Sequence, residues 1–207
     1  MIKIIVFPWK EKMSHNYFLS LYDVNGLIFW SEEAIRLRNM FAGHYVAALK
    51  TVLLTENPAF TFHQIEAPIL TPSNLINENY SKEEYFSVDK GFSLRPETTM
   101  GSYVYAEYIL AHNNLKPKIK LPFVVWQHAK SFRNEQNQTL KNMRLKEFYQ
   151  LEFQILFSHT TLNNYAIPVQ KAIQKAISDT IGECHIVPSE RLPSYALWTN
   201  DIVCKQT

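Results

Sequence analysis

Gln127-His128-Ala129-Lys130-Ser131-Phe132-Arg133-Asn134-Glu135, followed after a short polar loop by Met143-Arg144-Leu145-Lys146-Glu147-Phe148-Tyr149-Gln150-Leu151-Glu152, decides how the rest of the chain is read. Apolar runs from Leu121 to Trp126 and from Phe148 to Phe157 flank a loop rich in Asn, Gln and Lys, which predicts a long antiparallel hairpin. Side chains in a strand change faces at every step, so Phe148, Gln150, Glu152 and Gln154 share one face and Tyr149, Leu151, Phe153 and Ile155 the other. The first of these faces is polar and carries a ring. Arg133 and Arg144, one at the end of each strand, supply forked donors suited to a polyphosphate. Phe148 offers a flat surface for a base, and Glu135 can accept from an exocyclic amine. These are the groups that an ATP site requires.

A second segment reads as a strand turning into a helix. Ser93-Leu94-Arg95-Pro96-Glu97-Thr98-Thr99-Met100-Gly101 precedes a run from Ser102 to His112 in which Val104, Tyr108, Ile109 and Ala111 keep roughly helical spacing. Pro96 keeps Arg95 out of the helical region. Thr98 or Thr99 is expected to cap the first turn, holding Glu97 where the chain bends toward the hairpin's polar face.

These residues resemble the class II aminoacyl-tRNA synthetases. Phe132, Arg133, Glu135, Arg144, Glu147, Phe148 and Glu152 fall on the family's motif 2, Phe-Arg-x-Glu, a variable loop, then Arg-x-x-Glu-Phe with a further Glu four residues on. The Leu94 to Gly101 segment is similar to the Leu-Arg-Pro-Glu-Thr-Ala-Gln-Gly wording of the glycyl enzymes, with Thr99 in place of Ala and Met100 in place of Gln. Ser31-Glu32-Glu33 opens a long periodic run through Leu54, broken at Asn57-Pro58, and Phe62 to Pro72 then reads as a strand ended by prolines. Helix, strand and Pro68 resemble motif 1, at about residues 31–72, which in this class forms the dimer interface; motif 2 occupies about 121–158. Leu192 to Ile202 resembles a Tyr-x-x-x-Thr-x-Asp-Ile strand of bacterial glycyl enzymes.

The resemblance implies an α/β (α+β) fold, an antiparallel β-sheet flanked by helices, in a single domain spanning residues 1–207. Arg133 would be the catalytic group, holding the α-phosphate. ATP would be bound by Arg133, Glu135, Arg144 and Phe148, and a small amino acid, glycine, by Arg95, Glu97, Thr98 and Glu152. Mg2+ would arrive with ATP, and no protein metal site is implied. The expected partners are ATP, an amino acid and a second copy joined through motif 1, with tRNA as a further candidate. None of the five glycines forms the Gly-rich strand-to-helix element of motif 3, and nothing in the 207 residues resembles an anticodon-binding domain. The expectation is a core truncated before motif 3. Two further readings stay open: a non-catalytic accessory or interaction protein on the same fold, and one half of a split enzyme.

Composition agrees with one globular unit. At 207 residues, 46% hydrophobic and 14% aromatic, the chain has material for one core. A net charge of +2 gives weak support for a nucleic-acid partner. Lys116 to Lys120 is the densest basic cluster and reads as a solvated, proline-containing loop. A last helix is expected from Asn163 to Ile181, stopped by Gly182. The stretch from Thr71 to Lys90, crowded with Asn, Ser, Glu and Lys around Tyr80, is expected to be the least ordered, and lies where synthetases carry a mobile loop. His112 and His128 read as polar hairpin or helix-end residues rather than bases. Cys184 and Cys204 are too few and too distant for a metal motif or a disulfide framework, so reduced thiols are expected. Ile2 to Phe7 is too short for a signal peptide, and no run reaches the ~18 apolar residues of a membrane span. A cytoplasmic protein with no membrane partner follows as the expectation.

Overall fold

The computed structural model describes residues 22–24, 27–112, 119–134, 144–158, 162–190 and 196–204. A short hairpin of β1 (Tyr22–Val24) and β2 (Leu27–Phe29) leads into α1 (Glu32–Glu56). Its start is specified locally: the Ser31 side chain accepts from the Ala34 N–H at 3.2 Å, and Glu32 and Glu33 lie in the first turn, where the helix dipole favours negative charge. At the far end Asn57 donates its backbone N–H to the Leu53 carbonyl, and Pro58 follows. Ala42, Tyr45, Val46, Leu49 and Leu53 form the buried stripe of α1. That stripe packs on α3 (Leu162–Ile181), whose Val169, Ile173, Ala176 and Ile177 are buried in the same core, and the Tyr45 and Thr180 hydroxyls meet at 2.7 Å. Gly182, at φ 108, ends α3 in the left-handed region that glycine tolerates.

The central sheet has the order β3 (Thr61–Gln64), β7 (Phe123–Phe132), β8 (Glu147–Leu156). The expected hairpin is present, and its first strand runs on past the apolar stretch ending at Trp126, pairing Phe123 with Leu156 through to Phe132 with Glu147. β3 joins β7 in parallel, while the other pairings among the described residues are antiparallel. Val124, Leu151, Phe153 and Ile155 turn toward α1 and α3. Phe123 and Val125 form a second cluster with Ala106 and Ile109 of α2 (Thr99–Ala111), which covers the opposite face.

The expected strand from Phe62 to Pro72 is two strands. β3 stops at Gln64, the chain leaves the sheet through Ala67 and Pro68, and β4 (Leu70–Pro72) pairs instead with β6 (Phe92–Leu94), beside β5 (Ser87–Asp89). The stretch expected to be least ordered thus contains β5 and a 3-10 turn, Ser73–Leu75. α2 also differs from its reading. Its buried side chains are Thr99, Ser102, Ala106 and Ile109, while Val104 and Tyr108 fall off that face and are exposed; the stripe begins polar because it meets Gln127 at the helix start and turns apolar where it meets Phe123 and Val125. Neither threonine caps it: Thr98 makes no side-chain capping bond.

β9 (Cys184–Pro188) and β10 (Asn200–Cys204) form a separate antiparallel pair whose register sets Cys204 opposite Cys184, and the two are joined in a disulfide. This corrects the expectation of reduced thiols: a sequence separation of 20 is closed by strand pairing. No helix among the described residues is long and apolar enough to cross a membrane. Ile2 to Phe7, Lys116 to Lys118 and Leu192 to Tyr195 lie outside the described residues.

Candidate functional site

Opposite residues in an antiparallel pair share a face, so the register of β7 and β8 assembles the site directly. Gln127 faces Glu152, Ala129 faces Gln150, and Ser131 faces Phe148. Of these, Gln127, Ser131, Gln150 and Glu152 are buried within 2% of full. A buried polar face persists only when its groups find partners. Ser131 donates its hydroxyl to Gln150 Oε1, and Thr98 and Thr99 donate theirs to the two oxygens of Glu152. The threonines expected to cap α2 therefore orient the Glu152 carboxylate instead. The Gln150 amide nitrogen has no hydrogen-bond partner among the described residues, which leaves a buried donor between Phe148 and Glu152 along the strand.

Gln127 fastens α2 to the sheet. Its amide nitrogen donates to the Thr98 carbonyl and the Ser102 hydroxyl, each at 2.9 Å, and its oxygen accepts from the Ala67 N–H at 3.2 Å. Arg95 does similar work. It is 3% exposed, and its guanidinium donates to the carbonyls of Lys130 at 2.8 Å, Pro68 at 3.3 Å and Ala67. Burial pulls its pKa down, against the opposing pull of Glu66 and Glu152. Such bonding makes Arg95 a brace between β7 and the segment after β3.

Glu97 is buried at the bend before α2, as its position after Pro96 suggests. Arg133, at the end of β7, donates from Nε to the Pro96 carbonyl at 3.2 Å, and its guanidinium sits 5.2 Å from the Phe148 ring centre and 5.4 Å from that of Tyr80. Arg133 Nη2 also donates to the Tyr80 hydroxyl at 2.9 Å, which in turn donates to Glu97 Oε2 at 3.2 Å. The structure thus gathers Arg95, Glu97, Thr98, Arg133, Phe148 and Glu152 around one face of β7 and β8. Arg144 is exposed in the approach to β8, and Glu135 lies outside the described residues. Sequence reading set Gln150 on the polar face without giving it a role, and did not place Ser131, Thr99 or the Tyr80 hydroxyl in the site; Tyr80's position in the polar stretch where synthetases carry a mobile loop was the one available signal.

His128 lies on the other face, 5.4 Å from the Tyr149 ring, and burial, reinforced by Arg38, lowers its pKa to about 4. That face also holds an open cleft of about 440 Å³ beside Trp30, Arg38 and the Lys130–Glu147 ion pair. No group of three or more His, Cys, Asp and Glu that could hold a metal is found among the described residues.

No family model matches the chain. It is 38% identical over 76 residues to the glycine–tRNA ligase of Mycoplasmopsis synoviae, covering 37% of this chain and 16% of that protein. To the glycine–tRNA ligase of Pyrococcus furiosus it is 40% identical over 70 residues, covering 34% and 12%. These matches support a class II aminoacyl-tRNA synthetase core. The synthetase-like chain thus spans less than a fifth of the length of these relatives in the matched region. Among solved structures, the pyrrolysyl-tRNA synthetase of Desulfitobacterium hafniense aligns with 78% of this chain and 55% of its own, at a TM-score of 0.49 and 16% identity.

Proposed function

We propose that this glycyl-type synthetase homologue binds ATP and glycine on the α2-covered face of β7 and β8 and joins them as an aminoacyl-adenylate. The observation that carries the reading is two chemistries on one face of β7 and β8: the Arg133 guanidinium beside the Phe148 ring and linked to Glu97 through the Tyr80 hydroxyl, and the buried Glu152 carboxylate further along β8. Arg133 and Phe148 suit a phosphate and a base, the carboxylates an ammonium group. Gln150 adds a buried donor with no partner among the described residues, the kind of group a ligand satisfies.

In this reading the amino-acid carboxylate attacks the α-phosphorus of ATP, the bond to the β-phosphate breaks, and pyrophosphate leaves with the electron pair. Arg133 holds the α-phosphate as charge builds on its oxygens, and Arg144 meets the outer phosphates. Catalysis is then positioning and charge stabilisation. Phe148 stacks on adenine and Glu135 takes its amino group. Glu97 and Glu152 receive the ammonium, with Thr98 and Thr99 fixing the Glu152 rotamer. Two carboxylates for one small amine suit a substrate recognised only by its charged ends. Arg95 supports this pocket through the backbone rather than touching the ligand. Mg2+ would enter with the phosphates.

Calorimetric titration with ATP and with a non-hydrolysable glycyl-adenylate analogue tests the proposal. Saturable binding of both is expected, and absence of both overturns it. Glycine-dependent exchange of pyrophosphate into ATP then separates activation from binding: binding without exchange favours an interaction protein or a half-enzyme completed by another chain.

A further inference from the structure

The Tyr80 hydroxyl stands between the cation and the anion that the substrates need. It accepts from Arg133 Nη2 at 2.9 Å and donates to Glu97 Oε2 at 3.2 Å, so one oxygen atom occupies the gap that separates them. A zwitterionic amino acid with its carboxylate toward Arg133 and its ammonium toward Glu97 fills the same gap. With its Nη2 on Tyr80 and its Nε on the Pro96 carbonyl, the Arg133 guanidinium sits 5.2 Å from the centre of the Phe148 ring, on the surface a base would use. One phenol thereby covers both halves of the site.

The placement of Tyr80 is built rather than incidental. A turn closed by the Tyr80 N–H on the Asn77 carbonyl at 3.0 Å sets its backbone, and the Ser81 N–H bonds to the Glu84 carboxylate at 2.7 Å. Asn134, next to Arg133, then ties this turn to the end of β7 through its N–H to the Glu84 carbonyl at 3.0 Å and its side chain to the Glu83 carbonyl at 3.1 Å. Tyr80 itself is half-buried, and Ser81 to Glu84 are exposed. Withdrawal of the ring therefore disturbs surface turns and leaves the sheet intact.

We propose that Tyr80 is a gate: its hydroxyl stands in for the substrate in the free protein and must leave before ATP and the amino acid bind. This rests on the adenylate-site reading for the identity of the ligands. The apparent affinity of a site is reduced by the fraction of molecules in which it is open. Removing the hydroxyl raises that fraction, so Tyr80→Phe is expected to bind the glycyl-adenylate analogue more tightly, by about three-fold or more. A Tyr80 that belonged to the ligand's own contacts would instead make Tyr80→Phe bind more weakly.

Two measurements keep the gate separate from the ligand assignment. Arg133 reactivity toward phenylglyoxal, read by mass spectrometry in ligand-free protein, should rise several-fold in Tyr80→Phe and in Tyr80→Ala, with the reactivity of Arg36 on the surface of α1 as the internal reference. Unchanged Arg133 reactivity in both variants overturns the gate whatever the protein binds. Calorimetry with the glycyl-adenylate analogue on wild type and Tyr80→Phe forms the second arm: tighter binding supports the gate, and equal or weaker binding overturns it. Loss of binding in every form, with Arg133 reactivity still raised, keeps the gate and removes only the ligand.

Discussion

Gly101 in the first turn of α2 lies directly against Ala67, close enough that a Cβ at position 101 would collide with the Ala67 Cβ. The helix can approach the segment after β3 only because this residue has no side chain. Ala67 is held in place by Gln127 and by Arg95, so it has little room to retreat. Gly101→Ala is expected to destabilise the protein by about 1 to 3 kcal/mol, the range for overpacking a tight contact. A lowered urea midpoint with an unchanged slope is the expected result; an unchanged midpoint would contradict the contact.

The same substitution in α1 should act in the opposite sense. Gly43 is exposed, and nothing lies within 4 Å of a Cβ built there. Alanine removes the entropic cost of a mid-helix glycine, so Gly43→Ala should add about 0.5 to 1 kcal/mol. Thermal melting of the two variants side by side measures the contrast.

Acid should weaken the fold through His128. Its pKa falls from 6.5 to about 4 in the folded protein, so the unfolded chain binds the extra proton first as pH drops. The contribution to stability is complete above about 6.5 and is lost progressively toward about 4. The ring is only partly buried, and screening reduces the effect to roughly 1 to 2 kcal/mol. Urea midpoints measured across this window should fall less steeply in His128→Gln than in wild type.

Arg133 and Phe148 are expected to hold different parts of one nucleotide. Arg133→Ala and Phe148→Ala should each weaken ATP binding ten-fold or more, about 1.4 kcal/mol or above. Unchanged calorimetric affinity in both variants would remove the nucleotide site from this face.

A second copy of the chain is expected to pair through α1 and the segment ending at Pro68, across a two-fold axis. Leu27, Phe29, Ile35 and Met40 leave apolar surface exposed beside the start of α1, which a partner would cover. Light scattering at micromolar concentration should give twice the 24.2 kDa chain mass. A strictly monomeric mass rules this pairing out.

The hairpin was legible because alternation, charged ends and a polar loop all point to one structure. So were the ends of α1, where Ser31, Glu32, Glu33 and Asn57 act within a turn of themselves. Contacts made at long range were not. Tyr80 meets Glu97 and Arg133 across 17 and 53 residues, and no local pattern announces either bond. Arg95 was read as an amino-acid-binding residue, and its bracing bonds were not legible, because its partners are backbone carbonyls, which every residue carries. The break at Gln64 escaped for a related reason: Ile65 to Leu70 is apolar enough for a strand, and only the transfer of Leu70–Pro72 to β6 shows that the sheet ends before it. The disulfide was missed because strand register, not sequence distance, brings Cys184 to Cys204.

Strand β8 serves two surroundings by turns. Leu151, Phe153 and Ile155 lock into the layer beneath α1 and α3, and the residues between them hold the groups that would meet a ligand. Neither set can shift alone, since one backbone carries both. A cavity cut under Phe153 would therefore be felt at Glu152 as a misaimed carboxylate, and substitutions far from the ligand should register as lost affinity in proteins that still melt as cooperatively as before.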